Sequence, residues 1–181
     1  MSEVTVRPAT SGDAPAITAI YNASVAVDTA SWDEDPETPQ RRAQWLQERD
    51  QAGDVVLVAE RDGAVVGYAG YGPFRPKSGY RLTREHSVYL ADDARGQGIG
   101  RLLLTALIEA ARARGVHALI GGLSQENIAS LRLHEALGFR EVGRLPQVGA
   151  KFGRWLDLVL VELVLDDAPQ PPGRPDTASD T

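Results

Sequence analysis

The stretch Arg95-Gly96-Gln97-Gly98-Ile99-Gly100-Arg101 joins EHSVYLADDA (85–94) to LLLTALIEAARARG (102–115). The run before it has the composition of a strand. After it, Ile99, Leu102, Leu103, Ala106, Leu107 and Ala110 recur at helical spacing, and Gly115 stands where a C-terminal cap belongs. Three glycines between a strand and a helix leave main-chain N–H groups unobstructed at a helix N-terminus, which favours an anion. Arg95 and Arg101 add positive charge suited to a pyrophosphate. Two commoner phosphate loops do not fit. A Walker loop needs Lys followed by Ser or Thr after its last glycine, and a dinucleotide fingerprint counted from Gly96 meets Arg101 at its third glycine position.

Outward from this loop the chain alternates strands and helices. VTVR (4–7) reads as a strand, and Thr10 to Asp13 offer caps for a helix through Ala16, Ile17, Ile20 and Tyr21. Thr38-Pro39 opens a second helix through Ala43 and Leu46 that should stop near Gly53. VVLVAE (55–60) and AVVGYAGYG (64–72), joined through Asp62-Gly63, predict a hairpin. PFRPKSGY (73–80) is a basic loop, and a strand follows over 85–90. VHALIGGL (116–123) reads as a buried strand, with Asn127 as cap of a helix ending at Gly138. FREVGRL (139–145) and WLDLVLVELVL (155–165) close the sheet, the latter with a pattern of burial on both faces. One domain over 1–165 is expected, followed by a disordered Pro-rich tail over 166–181.

Composition bounds the function. The 181 residues are 43% hydrophobic and 24% charged, with no apolar run long enough to span a bilayer, so a soluble protein is expected. There is no secretory signal pattern at the N-terminus, and with no cysteine there is neither a disulfide nor a thiolate nucleophile; the cytoplasm is the expected compartment. A net charge of -6 argues against a nucleic-acid partner. His86 and His117 lack the spacing of a metal site, and no metal is implied.

The pattern R-G-x-G-I-G after a strand, with Asn127 and LHEALGF (133–139) downstream, resembles the Gcn5-related N-acetyltransferases. YNASV (21–25), TASWDEDPET (29–38), PFRPKSGYRLTREHSVYL (73–90), LHEALGF and VGAKFGRWLDLVL (148–160) resemble the phosphinothricin and methionine sulfoximine acetyltransferases within that superfamily. The likeness covers about residues 3–165. It implies a single α/β acyltransferase fold, a mixed and mainly antiparallel sheet with helices on both faces, in a homodimer.

It also implies acetyl-CoA as donor, its pyrophosphate on Arg95, Gly96, Gln97, Gly98, Ile99, Gly100 and Arg101, its pantetheine arm along main chain of Val88, Tyr89 and Leu90, and Asn127 near the arm or the phosphate. Acetyl transfer to an amine needs a base for the nitrogen, donors for the developing oxyanion and a proton for the thiolate. The resemblance puts the base at Glu85 and the acid at His134, where many superfamily members carry tyrosine.

For the acceptor, Phe74-Arg75-Pro76-Lys77 with Arg81 forms a basic cluster in an acidic chain, and Lys151 lies in GAKFGRW, which resembles the family's substrate-side segment. Arginines suit the carboxylate and second polar head of an amino-acid analogue, and Trp32, Phe74 and Tyr80 are candidate walls. The expected reaction is acetylation of the α-amine of phosphinothricin, methionine sulfoximine or methionine sulfone, which would serve detoxification. Two alternatives stay open: an acetyltransferase for protein N-termini or another small amine, and a non-catalytic acyl-CoA-binding domain. A hydrolase is disfavoured because Gly122-Leu123-Ser124-Gln125-Glu126 ends on Glu where a nucleophile elbow needs glycine.

Overall fold

The structure is a computed structural model and describes residues 3–173. In chain order it contains β1 (Val4–Pro8), α1 (Ala14–Val27), α2 (Pro39–Gln51), β2 (Val56–Arg61), β3 (Ala64–Pro73), β4 (Thr83–Leu90), α3 (Ile99–Ala113), β5 (Ala118–Ser124), α4 (Ile128–Ala136), β6 (Arg140–Lys151) and β7 (Arg154–Val164). The seven strands form one sheet in the order β1-β2-β3-β4-β5-β7-β6. Only β4 and β5 run parallel; the other neighbours are antiparallel.

Local chemistry explains most boundaries. The Thr38 hydroxyl accepts from the Arg41 N–H and Pro39 is the first residue of α2. Asp62 and Gly63 have φ of 54° and 77°, the left-handed pair that a two-residue hairpin between β2 and β3 requires. α3 buries Leu103, Leu104 and Leu107 against one face of the sheet, meeting Leu57, Ala69, Leu119 and Val159. On the other face, Ile17, Ile20 and Tyr21 of α1 and Leu46 of α2 cover Val56, Val58 and Tyr68.

The sequence misleads at the last hairpin. GAKFGRW is the ends of two strands and a tight turn, since β6 extends to Lys151 and only Phe152 and Gly153 connect it to β7. Pro146 and Gly149 disguise the strand; they sit where the β6–β7 register shifts between Leu145 and Gly149. Residues 166–173 leave the sheet as irregular chain, and the remainder of the expected tail lies outside the described residues.

Candidate active site

The site follows from where β4 and β5 part. They pair from Thr83↔Ala118 to His86↔Gly121 and no further. Beyond that point β4 keeps β3 as far as Gly67↔Leu90, and β5 keeps β7 as far as Ser124↔Leu158. The edge of β4 facing β5 therefore loses its ladder after His86, and main-chain groups of 87–90 front a gap in the sheet.

On the α3 face this gap opens into a cleft of about 340 Å³ lined by Val88, Tyr89, Leu90, Arg95, Gly96, Gly98, Gly100, Arg101 and Asn127. Gly96 and Gly98 have φ of 72° and 80°, and a side chain on either would meet no other protein atom within 4 Å. Backbone conformation and open space, rather than packing, select glycine there. Gly100 differs: its missing Cβ would lie 3.3 Å from Leu133 and 3.5 Å from Leu90, so it lets α3 approach α4 and β4. Arg95 is held by Asp28 at 2.8 Å and Asp92 at 3.2 Å. Asn127 caps α4 by accepting from the Ser130 N–H and also lines the cleft. These groups fit a pyrophosphate with a pantetheine arm leading to the gap.

Two expected cofactor residues turn away. The Gln97 side chain accepts from Arg61 and donates to the Asp93 carbonyl, and Ile99 is 1% exposed in the core beneath α3. Any contact they make with a phosphate is through main chain.

The gap itself is bordered by His86, Ser87, Val88, Ser130 and His134. His86 Nε2 and His134 Nε2 are 2.9 Å apart, and His134 Nδ1 is 2.7 Å from the Ser130 carbonyl. A carbonyl only accepts, so Nδ1 carries the His134 proton, its Nε2 is a lone pair, and His86 donates across the pair. Burial lowers both imidazoles, His86 to about 3, with the neighbouring His134 adding to the effect there. His134 as expected from the sequence would donate directly to sulfur; in this tautomer its proton is at Nδ1, on the Ser130 carbonyl, and its Nε2 faces His86. The sequence offered no sign of this pairing, because the two residues are separated by 48 positions.

On the opposite face, beneath α2, is a second cavity of about 330 Å³. Its floor is low because Gly70 and Gly72 of β3 stand opposite Ser87 and Glu85 of β4. Glu85 presents its carboxyl to this cavity close to Gly122, and burial raises its pKa, with Arg75 pulling the other way. The walls include Tyr21, Tyr68 and Tyr89, and α2 contributes Arg42, Trp45 and Arg49, none of which the sequence suggested.

The expected acceptor residues divide. Trp32 borders a hollow beside the gap with Ser31, Tyr89 and Gly122, its indole lying on Gly149. Phe74 and Tyr80 pack edge-on at 5.6 Å, Arg75 lies 4.5 Å over the Phe74 ring, and Arg81 donates to the Pro172 carbonyl at 2.7 Å. Phe74, Tyr80 and Arg81 are not among the residues that line the second cavity. Lys151 is a correction of another kind. It is 1% exposed and donates to the carbonyls of Asp28 and Ser31 at 2.8 and 2.5 Å, so it fastens the segment after α1 and lines none of the cavities described above.

With this geometry, residues 17–139 match the acetyltransferase (GNAT) family. A curated relative from Pseudomonas paraeruginosa, an L-methionine sulfoximine/L-methionine sulfone acetyltransferase, is 49% identical over 89% of this chain and 94% of its own. A Salmonella typhimurium protein solved with its cofactor acetyl-CoA superposes with a TM-score of 0.93 at 43% identity, covering 94% of this chain and 99% of that one. A ribosomal-protein-alanine N-acetyltransferase from Brucella melitensis superposes at 0.87 with 54% identity, covering 89% and 99%. The fold and these likenesses define an acyl-transfer enzyme. The chain belongs to the acetyltransferase (GNAT) family.

Proposed function

We propose that the protein acetylates the α-amine of a small amino-acid analogue, methionine sulfoximine, methionine sulfone or phosphinothricin, by direct attack on acetyl-CoA. The observation that carries this reading is the meeting of two cavities at the end of the β4–β5 ladder, with Glu85 on the acceptor side. Acetyl-CoA supplies the acetyl group as a thioester. Glu85 takes a proton from the acceptor ammonium, directly or through water, and its raised pKa suits a group that must gain and release one. Main chain of Val88, Tyr89 and Leu90 at the unpaired edge faces the developing oxyanion. The proton that the attacking nitrogen gives up as the adduct collapses neutralises the thiolate, and the His86–His134 pair at the gap, neutral at rest, carries it by taking one proton up as it gives one on.

The size of the acceptor cavity and its closure by α2 support a small substrate. A protein N-terminus is the competing acceptor, favoured by the name of the Brucella melitensis relative. Initial rates with acetyl-CoA across the three analogues and alanyl peptides decide between them. The expected kcat/KM is at least about tenfold higher for an analogue, a gap of about 1.4 kcal/mol in transition-state binding; equal or better rates on peptides assign the enzyme to protein acetylation.

A detoxifying role, the cytoplasm and a homodimer belong to the same reading. Exposed Val142, Val148, Phe152 and Trp155 on the β6–β7 hairpin support self-association. Among the described residues no helix is long and apolar enough to cross a membrane.

A further inference from the structure

α2 carries two guanidinium groups into the acceptor cavity, and neither is fully neutralised. Arg42 is 7% exposed and lies 4.4 Å over the Tyr21 ring and 4.9 Å over the Trp45 ring. Its only ion pair within 4 Å among the described residues is with Glu37 at 3.9 Å, which is nearer Arg41 at 3.5 Å, and its Nε has no hydrogen-bond partner. A buried cation so weakly paired is costly unless another anion completes its surroundings. The Tyr68 hydroxyl, on the same wall, is also buried without a partner. Arg49 lies over Gly72, so closely that a side chain there would overlap its guanidinium. Its counter-ion is Asp54 at 3.5 Å, but Asp54 is shared with Arg84 at 2.7 Å, leaving one excess positive charge in that trio.

Position assigns each arginine a different task. Gly72 is the cross-strand partner of Glu85, so Arg49 stands at the end of the cavity where the amine must be deprotonated. The oxygens nearest an α-amine are those of the carboxylate, whose carbon is bonded to Cα. Arg42, two helical turns earlier or about 10 Å along the axis, stands by Tyr21, the end where Tyr68 and Tyr89 stack at 5.3 Å. A three- to four-atom side chain spans much of that distance.

We propose that Arg49 holds the α-carboxylate of the acceptor and that Arg42, with the Tyr68 hydroxyl, holds the oxygens of its distal sulfonyl, sulfoximine or phosphinate head. This rests on the amino-acid-analogue reading above and adds α2 to the basic 73–81 loop, whose Arg75 acts on Glu85. It explains why the site would accept an oxidised methionine analogue over methionine: the thioether leaves Arg42 and Tyr68 buried and unanswered, and a site built to hydrogen-bond discriminates strongly against a ligand that cannot.

The test is a comparison of kcat/KM for L-methionine sulfone, for 3-(methylsulfonyl)propylamine, which lacks the carboxylate, and for L-methionine, which lacks the sulfonyl oxygens. Wild type should favour the sulfone over each by at least about tenfold. Arg49→Gln should erase the preference over the carboxylate-free amine and keep that over methionine; Arg42→Met should do the reverse. Acetyl-CoA affinity and far-UV circular dichroism should hold in both. If Arg42→Met does not fold, Arg42→Lys, which keeps charge but loses the fork, should show a reduced preference over methionine. Equal losses on all three amines, with wild type active on the sulfone, overturn the clamp alone. A wild type that acetylates peptides and none of the analogues overturns the function reading and the clamp with it.

Discussion

His86 and His134 meet through their Nε2 atoms at 2.9 Å in a compartment that leaves His134 2% exposed, and the Ser130 carbonyl fixes which ring donates. The pair therefore acts as a unit. His134→Ala should lower kcat by about tenfold or more with near-normal acetyl-CoA affinity. His86→Gln keeps a donor toward His134 but cannot relay a proton, so it should lose kcat to a similar extent. Wild-type turnover in His86→Gln would mean that His86 only orients its neighbour.

The same pair predicts a stability profile. In the folded protein both imidazoles stay neutral below their ordinary pKa, His86 down to about 3. Below about pH 6.5 the unfolded chain binds protons that the folded one refuses. Stability present above that pH is lost as pH falls toward 3, by up to about 1.4 kcal/mol per pH unit for one such group. Asp13, held at about 2 first of all by its hydrogen bond with Arg7, acts at lower pH. Melting temperature should fall between pH 6.5 and 4.5 in wild type and fall less in His86→Leu; parallel curves refute the assignment.

Glu85→Gln removes the base but keeps size and polarity. The loss should be at least about tenfold in kcat, or about 1.4 kcal/mol. It should be greatest at low pH, where the acceptor is protonated, and partly recover as pH rises. Because the Glu85 pKa is raised, the acid limb of the wild-type profile should lie above the ordinary carboxylate range. Unchanged turnover and limb in the variant would remove Glu85 from catalysis.

The glycine loop separates cofactor contact from packing. Gly98→Ala forces a side chain into a left-handed conformation costing about 1–2 kcal/mol and into space open only to ligand, so the acetyl-CoA dissociation constant should rise sharply in a folded variant. Gly100→Ala presses on Leu133 and Leu90 and should cost stability first. Calorimetric titration together with melting curves distinguishes them; unchanged affinity in Gly98→Ala counts against pyrophosphate binding.

Lys151→Met leaves the Asp28 and Ser31 carbonyls without their donor. A destabilisation of about 2–4 kcal/mol is expected. Because Asp28 also holds Arg95, acetyl-CoA affinity should weaken more than the acceptor KM rises. A rise in acceptor KM with no change in melting temperature would restore Lys151 to the substrate site.

Wherever the fold depends on near-neighbour chemistry, the sequence displays it. Asp62-Gly63 fixes a hairpin by its own dihedral preference, Thr38-Pro39 opens a helix, and the period from Ile99 to Ala110 marks α3, although its buried side is turned toward Leu104, Ile108 and Ala111 and leaves Leu102 48% exposed. β6 was harder, since Pro146 and Gly149 interrupt an otherwise strand-like run. The glycine turn into α3 was legible because glycine at a helix start has few purposes. Arg42 and Arg49 were not, because arginines on an amphipathic helix look solvated until the floor of glycines beneath them is seen. Lys151 was hidden in the opposite way: a lone charge near the end of a strand gives no sign that it is buried on the Asp28 and Ser31 carbonyls.

Because β4 and β5 part only after His86↔Gly121, the two cavities lie on opposite sides of the sheet, and between them a hollow of about 60 Å³ shares lining residues with both. Neither entrant need wait for the other's exit. Steady-state double-reciprocal plots should therefore intersect rather than run parallel, and a desulfo-CoA and an N-methylated acceptor should inhibit together, each adding to the other's effect instead of competing for one berth.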